Sequence, residues 1–209
     1  MNNNQKEILQ LIKIFHIVCL REEIKYSISF GTLLGAVRHR GFIEHDDDAD
    51  VIVFKDDEER LLDIFENEPL LSIAKFHSGY KIFFKDKLPI NNKYSWGSPY
   101  VDIWIVDWSR NNHTYIYSNA KGFKNAIHYR NDLYPTRLYK FENIKLFGPR
   151  NPYPFLDKKY QPCYNHGVAW HEGIVSHNWD HEKEKPIKKK IIKLFSEEER
   201  QRFFDIKQL

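Results

Sequence analysis

One stretch limits what this chain can fold into more than any other. It runs Phe30-Gly31-Thr32-Leu33-Leu34-Gly35-Ala36-Val37-Arg38-His39-Arg40-Gly41-Phe42-Ile43-Glu44-His45-Asp46-Asp47-Asp48-Ala49-Asp50-Val51-Ile52-Val53. Tyr26-Ser27-Ile28-Ser29-Phe30 alternates and reads as a strand. Gly31 ends it, and Thr32 to Arg38 forms a short helix entered from a glycine, whose free N–H groups suit a phosphate. Gly41 breaks the run, and Asp50 to Phe54 reads as a second strand with Asp48 just before it. Asp48 and Asp50 are two apart, so in extended chain both side chains leave one face and Asp47 the other. Small residues admit backbone N–H groups close to an anion, and clustered carboxylates suit a hard divalent cation. The two halves together describe a site for a metal-bound phosphate.

At 209 residues the chain can bury a proper core, and 42% hydrophobic with 15% aromatic residues excludes a disordered polymer. The 32 basic residues nearly balance 29 acidic ones, so charge alone points to no nucleic-acid partner. Cys19 and Cys163, the two cysteines, exclude a disulfide scaffold and a four-cysteine zinc site. The polar start Met1 to Glu7 lacks the layout of a secretory signal. The apolar run Ile8 to Leu20 is interrupted by Lys13 and His16 and falls short of the ~20 residues a span needs. The expectation is a cytoplasmic protein with no integral membrane segment.

From Lys6 to Glu23, Ile8, Leu9, Leu11, Ile12, Phe15, Val18 and Cys19 recur at helical spacing and predict an amphipathic helix packed on a core. Glu59 to Phe65 predicts a second helix with an acidic start. Lys81 to Lys85 is strand-like, and Leu88 to Pro99 is a loop. Tyr100 to Trp108 predicts a strand with Val101, Ile103 and Ile105 on one face and Asp102, Trp104 and Val106 on the other. An acid inside an apolar strand is costly unless paired or metal-bound, so Asp102 joins Asp48 and Asp50 as a candidate. Asp107, near the strand's end, reads as a turn acid. Beyond it, Tyr115 to Tyr117 and Phe141 to Phe147 read as short strands, Asn131 to Pro135 as a turn, and Phe155 to Tyr160 as a helix. A charged, partly helical tail begins at about Lys185, and the absence of repeats or low-complexity linkers favours one domain over 1–209.

Three carboxylates on neighbouring strands can hold one or two Mg²⁺ ions that bridge phosphate oxygens. The plain alternative is an acidic loop that only caps a strand. A competing set, His166, His171, His177, His181 and Cys163, lacks a His-Glu-x-x-His motif and gives zinc hydrolysis little support. Neither a Walker A pattern nor Gly-x-Gly-x-x-Gly is present. The Lys188-Lys189-Lys190 run is diluted by nearby glutamates and reads as a solvated helix face.

The ordered run from Gly31 to Ile43, continued by Asp46-Asp47-Asp48-Ala49-Asp50, resembles the LicD family, which includes fukutin and fukutin-related protein. Val101 to Trp104, Asp132 to Pro135 and Phe141 to Tyr160 extend the resemblance more weakly. It implies an α+β, nucleotidyltransferase-like (polymerase-beta-like) fold, a small mixed β-sheet flanked by helices. It also implies a transferase that moves a phosphorylated alcohol, phosphocholine or a polyol phosphate, from a CDP-linked donor to a glycan hydroxyl. Carried over by position, Asp48, Asp50 and Asp102 hold Mg²⁺ or Mn²⁺. Gly31 and Thr32 lie near the donor phosphates, and Arg38 is a phosphate or supporting contact. Asp102 is the candidate to orient or deprotonate the acceptor. Glu44-His45 stands where many members have Pro-Trp, Ala49 replaces a larger aliphatic, and Tyr160-Gln161 replaces Tyr-Gly. The expected partners are a CDP-linked donor and a glycan or glycoconjugate acceptor, with no nucleic acid. Transfer of a nucleotide itself, to a small molecule or RNA, and a catalytically silent glycan- or nucleotide-binding module are the alternatives.

Overall fold

Helix α1 (Asn3–Arg21) begins where the Asn2 side chain accepts from the Gln5 N–H and the Gln5 side chain accepts from the Asn2 N–H. This reciprocal pairing satisfies two of the donors that a helix start leaves open. Its stripe of Ile8, Leu9, Leu11, Ile12, Phe15, Val18 and Cys19 is buried, as the helical spacing predicts. The computed structural model describes residues 1–44, 46–89, 92–110, 113–117 and 127–160. The histidine- and tryptophan-rich segment after Tyr160 and the charged tail, with Cys163, lie outside these residues.

Seven described strands form one mixed sheet: β1 (Tyr26–Ile28), β2 (Ala49–Phe54), β3 (Leu71–Phe76), β4 (Gly79–Phe84), β5 (Tyr100–Ser109), β6 (Thr114–Tyr117) and β7 (His128–Tyr129). The order is β1-β2-β5-β4-β3, with β6 added along the far part of β5 and β7 beside β6. β2 and β5 run parallel, and every other pair is antiparallel. All six residues of β2 are buried, which an apolar strand clamped between two neighbours requires. Helices α2 (Phe30–Arg38), α3 (Glu58–Asn67) and α5 (Tyr153–Tyr160) join α1 around the sheet.

Several elements differ from the sequence expectation. Phe30 belongs to α2 rather than to the preceding strand, at a φ of 42°. That left-handed backbone costs a bulky residue about 1–3 kcal/mol. Its ring recovers contact against Trp104, Tyr117 and Phe155, with centroids 5.5–5.8 Å away. Strand β3 has no counterpart in the sequence reading, because its partly exposed, mixed residues give weak alternation at the end of the sheet. The 141–147 segment is not one strand but the turn and second arm of a hairpin, β8 (Arg137–Phe141) with β9 (Ile144–Gly148). Its first arm was hidden because Arg137 shares the face of Tyr139 and Phe141 while the apolar Leu138 points outward beside Lys140. The expected turn at 131–135 begins as one helical turn, α4 (Arg130–Leu133), closed by the Tyr134 N–H on the Arg130 carbonyl at 2.8 Å.

The β8–β9 hairpin also braces the segment between α2 and β2. Glu142, at its turn, accepts from the Phe42 N–H at 3.0 Å and donates its own N–H to the Arg40 carbonyl at 2.7 Å. The chain leaving α2 is thereby gripped just before it enters the acidic loop. Among the described residues, no helix is long and apolar enough to cross a membrane.

Candidate active site

The parallel pairing of β2 with β5 sets Asp50 directly beside Asp102, and the antiparallel pairing of β5 with β4 sets Lys81 on the other side of Asp102. Paired residues in register share a face, so Asp50, Asp102 and Lys81 form one row across three strands. Asp48, just before β2, completes the group. One carboxylate oxygen from each of Asp48, Asp50 and Asp102 lies within 4.8 Å of the others. The two-residue spacing and the acid in the apolar strand therefore meet in space, as the sequence reading expects.

Asp46, Asp47 and Asp48 form a second close group by the same measure. Asp47 does not turn away from Asp48, because residues 46–48 are loop and strand alternation does not govern them. The loop is held from below by the buried Gln5, whose amide nitrogen donates to the carbonyls of Ile43, Glu44 and Asp46 at 3.0–3.2 Å. Three acceptors share two hydrogens, so one of these bonds is divided.

Helix α2 approaches from the side. Its Gly31 N–H donates to the Asp50 carboxylate. A Cβ at Gly31 would sit 3.0 Å from an Asp46 oxygen, so glycine is what lets the helix start lie against the acids. Thr32 is buried, and its Oγ1 accepts the Asp50 N–H at 2.7 Å, joining α2 to β2. Farther along, a Cβ at Gly35 would meet the Gly41 carbonyl oxygen at 2.3 Å, a backbone atom that cannot step aside. Arg38 is the last residue of α2, seven positions and about 10 Å along the axis from Gly31. The structure thus gathers Gly31 and Thr32 beside Asp50 and puts Arg38 at the helix's other end.

Two side chains escaped the sequence reading. Trp104 donates its indole N–H to Asp50 Oδ1 at 2.8 Å. Lys81, 3% exposed, places its Nζ 2.5 Å from Asp102 Oδ1. The signal for Lys81 was present: a charged residue inside an apolar strand, the same anomaly that singled out Asp102.

The carboxylates are under electrostatic load. Burial, then the charges of Asp50 and Asp102, hold Asp48 well above the ordinary carboxylate range. Asp50 is pushed up to about 8, by burial and then by Asp102, against the hydrogen bonds from Trp104 and Gly31. Burial also raises Asp102, while Lys81 pulls it back. Like charges crowded out of water are stable only when something positive joins them. Two metal–oxygen bonds of about 2.1 Å set back to back span about 4.2 Å, so oxygens this close can close around one ion with small rotations. An all-carboxylate donor set suits Mg²⁺ or Mn²⁺ rather than a thiolate- or imidazole-seeking metal.

The family model described as LicD/FKTN/FKRP, nucleotidyltransferase domain, matches residues 23–151. An uncharacterised Rickettsia prowazekii protein, RP689, is 34% identical over 165 residues, covering 77% of this chain and 56% of that protein. Lipopolysaccharide cholinephosphotransferase LicD of Haemophilus influenzae is 41% identical over 68 residues, covering 32% of this chain and 26% of that protein. The chain thus spans about half the length of the Rickettsia relatives it matches. A solution structure of the antibiotic-resistance factor ANT(2'')-Ia superposes with a TM-score of 0.37 at 14% identity, over 57% of each chain.

Proposed function

The chain belongs to the LicD family, and from that premise we propose that it is a divalent-metal-dependent transferase that moves a phosphorylated alcohol from a CDP-linked donor to a glycan hydroxyl. The observation that carries this reading is the convergence of Asp48, Asp50 and Asp102, three mutually repelling carboxylates within 4.8 Å. Family membership alone supports a transferase on a nucleotidyltransferase fold. The carboxylate row supports the metal.

Asp48, Asp50 and Asp102 would hold the ion. When bound, it would neutralise the donor diphosphate and favour departure of CMP, because electrostatic positioning dominates phosphoryl transfer. In the transfer, the acceptor oxygen forms a bond to the phosphorus that carries the alcohol. The bond from that phosphorus to the bridging oxygen breaks, and CMP leaves with the oxygen. The hydroxyl proton passes to a base. Asp102 is the candidate to orient that hydroxyl or take its proton, since its two oxygens offer about four acceptor sites, of which Lys81 and the ion would use two. Gly31 and Trp104 orient Asp50, and Thr32 fixes the backbone beneath it.

A thermal-shift screen of CDP-choline, CDP-ribitol, CDP-glycerol and nucleoside triphosphates, each with and without Mg²⁺ or Mn²⁺, tests the proposal. A ligand that binds only the folded protein raises its melting temperature. A metal-dependent shift with one CDP-alcohol, followed by CMP release when a glycan acceptor is added, is the expected result. A response to triphosphates alone with release of pyrophosphate would replace this reading with nucleotide transfer. Binding of a CDP-ligand indifferent to metal, with no turnover, would leave a silent binding module.

A further inference from the structure

The row Asp50–Asp102–Lys81 ends in a box. Around the Lys81 ammonium stand the rings of Tyr100, Phe76 and Trp96, with centroids 3.4, 4.1 and 5.5 Å from Nζ. Asp102 Oδ1 closes the remaining side at 2.5 Å. All three rings lie within the ~6 Å over which an aromatic face attracts a cation. The lysine stem is buried, so this charge does not sweep through solvent as a surface lysine does.

Such a box discriminates between cations. Mg²⁺ demands six oxygen ligands in octahedral geometry and keeps several of its waters. Aromatic faces offer it no oxygens, and the ammonium seated among them leaves no room for its waters. An ammonium needs only a carboxylate and π-faces, and the box supplies both. Any second metal ion bound through Asp102 on this side would have to displace Nζ from Oδ1.

Resting on the metal-dependent reading above, we infer that Lys81 fills with its own ammonium the place a second metal ion would take on Asp102, making this a one-metal centre. Lys81 is a positioning residue: it acts through Asp102, holding that carboxylate toward Asp48 and Asp50. Phe76, Trp96 and Tyr100 seat the ammonium in that place.

The test is a Mn²⁺ titration of the full chain, with free Mn²⁺ read by its paramagnetic resonance signal. Only ions that disappear in Asp50→Asn are scored, which removes any held by the outer Asp46–Asp47 loop. Wild type and Lys81→Arg bind one such ion, and Lys81→Ala, which removes the ammonium and empties the space beside Asp102, binds two. Two in wild type, or one in folded Lys81→Ala, overturns the inference while leaving the metal-dependent reading intact. None in wild type at millimolar Mn²⁺ overturns both. If Lys81→Ala fails to fold, the wild-type and Lys81→Arg counts decide alone: one in each supports the inference, and two in either overturns it.

Discussion

The sheet buries two polar clusters close together, and they are built on opposite principles. Behind the start of α2, Ser29, Tyr117 and His128 meet: the Tyr117 hydroxyl is 3.0 Å and the Ser29 hydroxyl 3.5 Å from His128 Nε2, and the two hydroxyls are 3.4 Å apart. Each group is neutral and answers another. In front of the same turn, Asp48, Asp50 and Asp102 are crowded together although they repel. Buried polar groups that satisfy one another serve the fold. Groups kept apart from their preferred partners are waiting for a ligand. Ser29 links the two, because its N–H donates to the Asp50 carbonyl at 3.0 Å.

The comparison breaks most sharply at Asp50. Asp50→Asn removes one of the repelling charges but keeps an acceptor oxygen for the Trp104 hydrogen bond. Turnover with a confirmed donor should fall by about 10³-fold, as when a principal electrostatic group is lost. The melting temperature without metal should hold or rise, and its increase with Mg²⁺ should vanish. A parallel loss of activity and stability would put Asp50 with the structural cluster instead. Turnover kinetics and thermal denaturation of one preparation separate these outcomes.

His128 provides the opposite behaviour. Burial lowers its pKa from 6.5 to about 3, so the folded protein keeps it neutral while an unfolded chain takes up a proton below pH 6.5. The unfolded state then binds more protons, and stability falls as pH falls. The contribution is whole above pH 6.5 and is lost progressively down to about pH 3. At 1.36 kcal/mol per unit, the loss from this group reaches about 2 kcal/mol at pH 5. His128→Phe, on a site already stacked 4.2 Å from the Phe155 ring, should flatten this part of the profile. Urea denaturation between pH 8 and pH 5 measures it, and an unchanged slope in the variant would remove His128 as the cause.

How far the sequence could reveal these clusters depends on their construction. Asp48 and Asp50 were legible together because they stand two apart where an acidic run enters an apolar strand, and Asp102 because an acid in an apolar strand is anomalous on sight. That Asp50 lies opposite Asp102 was not legible, since the register of two parallel strands distant in the chain depends on packing. The Lys81 box was hidden for a similar reason: its walls come from β3, the loop before β5 and the start of β5. The family resemblance put Thr32 near the donor phosphates; its hydroxyl receives the Asp50 N–H, a bond visible only once α2 is laid on β2. His128 carried no signal, because its two-residue strand is too short for periodicity and its partners come from β6 and the turn into α2. The α+β class came with the family resemblance, whereas β3, α4 and the paired β8–β9 arms were lost where the elements are short or carry charged residues.

The smallest effect sharpens the comparison most finely. Tyr117→Phe keeps the ring that packs 5.6 Å from Phe30 and removes only the hydroxyl shared with His128 and Ser29. Losing one buried neutral hydrogen bond costs about 1 kcal/mol. Because burial alone lowers the His128 pKa, the variant should be less stable by a similar amount at pH 8 and pH 5, with the acid slope retained. Measured by the same denaturation series, a changed slope would show that the hydroxyl, and not the surrounding apolar packing, sets the proton affinity of His128. A cluster that only serves the fold should lose stability here without losing its pH dependence.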